Sequence, residues 1–180
     1  MLSSIDPIVK REASRWGLTL AVVNIAFYLT AYLGNRGWFV SLTATSVLFL
    51  INIVVLIVAV VQARQGLGGF ISFKEAFSVS FFTALIYSML GTVFIILLFN
   101  VVDPAAADEI QNLTIENTIA MAERFGGATD QIDEMIETLE NTKQFGVKQQ
   151  VSGFFTGLLF SAIISAIIAA FMKKTRPFDA

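Results

Sequence analysis

The chain has 180 residues, of which 56% are hydrophobic and only 14% charged, with a formal net charge of −2. Its mean hydropathy is +0.73, whereas a soluble domain carries roughly 25% charged residues. These values exclude an ordinary water-soluble globule and a disordered chain, and the absence of cysteine excludes a disulfide scaffold.

Four long apolar segments are free of Asp, Glu, Lys and Arg: Trp16 to Leu33, Trp38 to Val61, about Ala76 to Val101, and Val151 to Met172. Each is long enough to cross about 30 Å of hydrocarbon as a helix. None alternates with period two, as the strands of a membrane barrel would. The predicted fold is all-α: an integral membrane four-helix bundle, one membrane domain over residues 1–180. An extracytoplasmic amphipathic helical segment lies between the third and fourth spans. Lys10, Arg11 and Arg15 precede the first segment as they would in a signal peptide. Its apolar core exceeds the usual length of about 7–15 residues, however, so a retained span is expected.

Orientation follows from Lys and Arg near the span ends. Lys10, Arg11, Arg15, Arg64, Lys74, Lys173, Lys174 and Arg176 lie on one side, and Arg36, Arg124, Lys143 and Lys148 on the other. The expectation is a bacterial cytoplasmic (inner) membrane protein with both termini cytoplasmic. Trp16, Tyr32 and Trp38 sit near the predicted interfaces, where amphipathic rings are enriched.

The first turn, Gly34 to Gly37, is short, whereas the segment from Val102 to Gln150 holds ten acidic and three basic residues. Asp103-Pro104 supplies a helix cap and a suitable first helical residue. One helix is predicted from Ala105 to Phe125, ended by Gly126-Gly127. A second runs from about Asp130 to Lys143, with Ile132, Met135, Ile136 and Leu139 on one face. Asp130, Asp133, Glu134, Glu137 and Glu140 lack the alternate-residue ligands and central Gly of a calcium loop and read as a solvated face. Asn112-Leu113-Thr114 matches a glycosylation sequon, which matters only in a secretory pathway.

Ser72-Phe73-Lys74-Glu75 fits a capping box, with Ser72 and Glu75 as the reciprocal pair. Gly66, Gly68 and Gly69 before it permit a tight reversal. In the fourth span Gly153, Gly157, Ser161, Ser165 and Ala169 recur every four residues. The third shows the same spacing in Ala76, Ser80, Ala84, Ser88 and Thr92. Such small-residue faces let helix backbones approach closely. The two are expected to pack on each other, with a second copy or another membrane protein as the alternative. Asn24 and Asn52 are the mid-span amides and should face another helix, as a bundle-holding hydrogen bond or as the lining of a path. Tyr28, Tyr87, Thr83 and Thr92 would join such a path, or bond their own helical turns.

No span carries a carboxylate or amine, and the chain has no His or Cys. That inventory argues against acid–base, thiol and haem chemistry, a zinc site, a buried proton relay and a voltage sensor. Ser161 and Ser165 lack a base, and Gly66-Leu67-Gly68-Gly69 lacks the Lys-Ser/Thr of a phosphate loop. No enzyme activity, cofactor, metal or nucleic-acid partner is expected. Lys173, Lys174 and Arg176 are explained by topology as well as by lipid binding.

The chain resembles the bacterial membrane family called domain of unknown function 4199. The likeness rests on Arg15-Trp16-Gly17, on Gly69-Phe70-Ile71-Ser72-Phe73-Lys74-Glu75-Ala76-Phe77, on Asp103-Pro104, and on Lys173-Lys174-Thr175-Arg176-Pro177-Phe178. It implies a four-helix bacterial inner-membrane protein and brings no catalytic or binding residues. The leading functional expectation is a non-enzymatic assembly or accessory subunit acting through helix packing in the lipid bilayer. The alternative is a small oligomeric channel or transporter component.

Overall fold

The computed structural model describes residues 6–124 and 129–175, with side chains of the later stretch from residue 133 onward. Helix α1 runs from Pro7 to Leu33, nine residues ahead of the predicted start. Asp6 Oδ1 accepts from the Ile8 N–H at 2.7 Å, and Pro7 occupies the first turn, where its missing N–H costs nothing. Lys10, Arg11 and Arg15 are good helix formers with exposed side chains, so the helix extends beyond the apolar stretch.

After Gly34, the Asn35 side chain accepts from the Gly37 N–H at 2.9 Å and sets a 3-10 turn from Arg36 to Phe39. This turn absorbs the first residues of the predicted second span. Helix α2 therefore begins at Leu42, capped by Ser41, and ends at Gly66. Gly68 and Gly69 take φ of +81° and +89°, values that L side chains rarely adopt. Gly66 is helical instead, and a Cβ there would lie 2.8 Å from Ile8 Cγ2.

Helix α3, Phe73–Leu97, opens with both halves of the capping box: Ser72 accepts from the Glu75 N–H, and Glu75 accepts from the Ser72 N–H at 2.8 Å. A wide π-helical turn, Leu98–Val102, closes it. There the Asn100 amide donates across the molecule to the Phe145 carbonyl at 2.8 Å. Helix α4, Pro104–Arg124, starts where Asp103 Oδ1 accepts from the Ala106 N–H at 3.0 Å. Helix α5 spans Thr129–Asn141, and α6 spans Val147–Met172. Gly126, Gly127 and the side chains of Asp130 and Ile132 lie outside the described residues, as does Arg176. Of the remaining apolar face of α5, Ile136 and Leu139 are half-buried, and Met135 is exposed.

Among the described residues four helical segments are long and apolar enough to cross a membrane: Pro7–Leu33, Leu42–Gly66, Phe73–Val102 and Val147–Met172. Helices α4 and α5 form a cap at one end of this bundle. The start of α1 and the end of α6 lie at the other, which we call the terminal end. Contacts of Ala13 with Thr83 and of Gly17 with Ile86 show that α1 and α3 run parallel. An antiparallel backbone bridge between Ile71 and Lys174 sets α6 against α3. Helix α3 is central: it packs along α1 and α6 and also touches α2, whereas α2 and α6 scarcely meet.

The core has two centres. At the terminal end, Val9, Leu56, Val60, Ile71, Val79 and Ile168 pack together. Under the cap, Ile95, Leu98 and Phe99 meet Ala106 and Ile110 of α4 and Phe145 of the connection before α6. Trp16 packs against the terminal-end core, half-buried.

Candidate functional site

The two small-residue faces meet along only half their length. Ser80 lies nine residues on from Ile71, and Ser165 nine residues back from Lys174, so the Ile71–Lys174 bridge brings the two serines to one level. Ser80, Ser165, Ala76, Ala84 and Ala169 are all fully buried, and this half of the α3–α6 seam is closed. Towards the cap the faces part. Ser161, Ser88 and Thr92 are half-buried, and Gly153 and Gly157 are exposed with open space where a Cβ would stand. Their expected packing against α3 does not occur. The cause is geometric: α6 begins beyond the Phe145 connection under the cap, and its first turns stand away from α3 while its later turns lie against it.

The space left by that divergence is a cavity of about 370 Å³ walled by all four membrane helices. Asn24 and Tyr28 come from α1, Asn52 from α2, Tyr87 and Thr92 from α3, and Ser161 from α6. Gln149 and Gln150 stand at its cap end, and the exposed rings of Phe49 and Phe160 flank the gap between α2 and α6. Among the described residues no carboxylate, amine or guanidinium lines it.

Asn24 Nδ2 donates to Asn52 Oδ1 at 2.9 Å and to the Leu20 carbonyl at 2.9 Å, while Asn52 Nδ2 donates back to Asn24 Oδ1 at 3.4 Å. The amides join α1 to α2, and they also line the cavity. The pair also borders a smaller recess of about 280 Å³ between α1 and α2, so it forms a crossbar between two hollows. Thr83 is not part of this lining, because its hydroxyl donates to the Ala13 carbonyl at 3.4 Å. Ser88 turns back to the Leu85 carbonyl at 3.2 Å. Tyr28, Tyr87, Thr92 and Ser161 bring hydroxyl groups to the cavity lining. With the Asn24–Asn52 pair they make up the polar part of a lining that is otherwise apolar.

Two features were not apparent from spacing alone. Arg36, a single charge in the first turn, forms an ion pair with Glu109 of α4 and lies 3.6 Å from Asp103, clamping the cap to the bundle. Tyr32 donates to Asp103 Oδ2 at 2.8 Å beside it. The second is Glu12, a buried carboxylate on the part of α1 that precedes the predicted first span. It rides on α1 with 4% exposure, its Oε1 accepting from Arg11 Nε at 3.0 Å. Glu12 Oε2 and the Trp16 indole N–H one turn further on have no partner among the described residues. The signal was the helical spacing of Val9, Glu12, Ala13 and Trp16, hidden by starting the span at Trp16.

Elsewhere, Asp133, Glu134, Glu137 and Glu140 are exposed on α5, and no metal-sized cluster of acidic side chains forms among the described residues. The Lys174 ammonium lies 5.6 Å above the Phe70 ring, and Asn112 is exposed on α4.

Fold and cavity together define a multi-pass, all-α membrane protein with a capped four-helix bundle. The chain belongs to the family described as Protein of unknown function (DUF4199), whose profile matches residues 15–174. No curated protein and no solved structure matches it.

Proposed function

We propose that this chain is a non-enzymatic transporter component that takes a small uncharged molecule, or the uncharged part of one, into the cavity of its cap half. One observation carries this reading: the cavity is one-sided. Along the α3–α6 seam it stops where Ser80 and Ser165 are fully buried, and its polar side chains, from Asn24 and Asn52 to Gln149 and Gln150, lie on the cap side of that closure. A single copy is thus a pocket and not a pore, and passage across the membrane requires rearrangement or further subunits. The membrane is that of a bacterial cell, with the termini in the cytoplasm and the cap outside. Eight of the twelve Lys and Arg residues on the terminal side support this orientation. A cysteine at Ser161 should react with a membrane-impermeant thiol reagent added from the cap side, and one at Ser165 should not. Flux of small uncharged solutes into proteoliposomes should fall in Asn24→Leu and Asn52→Leu. Equal labelling at both positions, or unchanged flux in both variants, would remove the reading.

A second reading is the assembly or accessory subunit. The open space at Gly153 and Gly157 favours it, since a helix of another protein or a second copy can approach the α6 backbone there. Crosslinking at Gly153→Cys in native membranes should then recover a defined adduct. Recovery of none, not even a dimer, would count against it.

A further inference from the structure

Beside the polar cavity lies a groove of about 400 Å³ lined by Ile53 and Ile57 of α2 and by Ile164, Ile167, Phe171 and neighbours of α6. Every residue in its lining is apolar. Ile53 and Ile164 border both spaces, so cavity and groove form one continuous trough between α2 and α6. From Ile164 to Met172 the groove follows α6 for about 12 Å. Both volumes fall in the range of small-molecule sites, about 300–1,000 Å³.

We propose that the occupant of this trough is an uncharged glycerolipid, its glycerol and ester group in the cavity and its hydrocarbon chain in the groove. The proposal rests on the binding role given to the cavity above and names the class of ligand. Three observations converge on it. The trough carries polar side chains only at its cavity end and is wholly apolar along the groove, the division of an amphiphile. The cavity end offers the hydroxyls of Tyr28, Tyr87, Thr92 and Ser161 and the second N–H of the Asn52 amide, which suit a group that both donates and accepts. Among the described residues no charged side chain lines either part, so a phosphate would enter unpaired at a prohibitive desolvation cost. Access is lateral, because α2 and α6 scarcely touch and the exposed Phe49 and Phe160 rings flank the gap. Past Ile164 the groove runs on to Met172, so the chain lies along the terminal half of α6.

The full chain in phosphatidylcholine nanodiscs can be challenged with a monoacylglycerol that carries a photoreactive group near the chain end. Saturable labelling is expected in α2 and α6 peptides containing Ile57 or Ile167. Removing two hydroxyls in Tyr87→Phe/Ser161→Ala should weaken it by about fivefold for each hydrogen bond lost. Ile167→Trp, which obstructs the groove at an exposed position, should reduce labelling without touching the hydroxyls. Labelling of equal strength by the matching phosphoglycerol lipid, non-saturable labelling, or no change in the double variant would overturn the proposal. Binding of radiolabelled free glycerol without the glyceride would also overturn it, while leaving the cavity as a site for water-soluble solutes. Binding of neither would sink both.

Discussion

The side-chain amides of Asn24 on α1 and Asn52 on α2 hydrogen-bond each other in both directions, at 2.9 and 3.4 Å, in the middle of the bundle. Interhelical hydrogen bonds in membranes average about 0.6 kcal/mol and reach about 1.7 kcal/mol. Asn24→Leu should cost towards the upper end, because it strands the Asn52 amide, and Asn24→Leu/Asn52→Leu should cost less than the two single changes together. Thermal unfolding of the purified protein in detergent measures the cycle. Simple additivity would show that the amides act independently.

Gly17 is where α1 and α3 come closest. A Cβ at this position would stand 2.8 Å from Ile86 Cβ and 3.0 Å from its Cγ2. Gly17→Ala should therefore destabilise the bundle by about 1–3 kcal/mol through overpacking, even though alanine is the better helix former. Ile86→Ala in the same chain removes two of the three nearest atoms and should recover part of the loss. A neutral or stabilising Gly17→Ala would mean that α1 and α3 do not pack in this register.

The capping box at Ser72 is exposed, so its effect can be isolated from packing. Ser72→Ala should cost about 1 kcal/mol and speed hydrogen exchange at the Glu75 amide, while amides deep in α3 keep their protection. Ser72→Asp should retain most of the cap. Unchanged exchange at Glu75 in Ser72→Ala would show that the box does not hold the helix start.

The cap is joined to the bundle by groups that titrate. The Tyr32 hydroxyl, and after it the Ala106 N–H, hold the Asp103 carboxyl below its ordinary value of 3.8. Because the folded value is depressed, the stabilisation is present above the unfolded value and is lost as pH falls through the folded one. Carboxyl NMR in micelles should show Asp103 titrating below 3.8, moving up in Tyr32→Phe and by less in Arg36→Gln. A titration that is the same in all three proteins would refute the linkage between turn and cap.

Helix caps and helix faces were readable from the chain because they are local. Ser72 and Glu75 stand three residues apart, and Ala76, Ser80 and Ala84 share a face by period alone. How far two faces stay together is not local. Nothing in Gly153 or Gly157 differs in type from Ser165 or Ala169, yet the first pair borders a cavity and the second lies in a sealed seam. That outcome depends on where α6 enters, which the Phe145 connection and the cap decide. The same holds for Arg36: in the sequence it is one charge in a turn, and its partner Glu109 is 73 residues away. Asn24 and Asn52 are the intermediate case. Their cost in hydrocarbon announced that they need a partner, without saying that the partner would be each other.

The bridge between Ile71 and Lys174 joins the start of the third membrane helix to the end of the fourth. Because synthesis runs from the amino terminus, α1, α2 and α3 are in place while α4 and α5 are still being made. Throughout that interval Ala76, Ser80 and Ala84 have no α6 to cover them, and the bundle is a three-helix intermediate with one bare seam. The pace at which α6 is delivered to that seam thus governs how long the nascent protein is open to capture by the wrong helix. A translational pause within the 45 residues from Pro104 to Lys148 would lengthen that exposure more than one anywhere upstream.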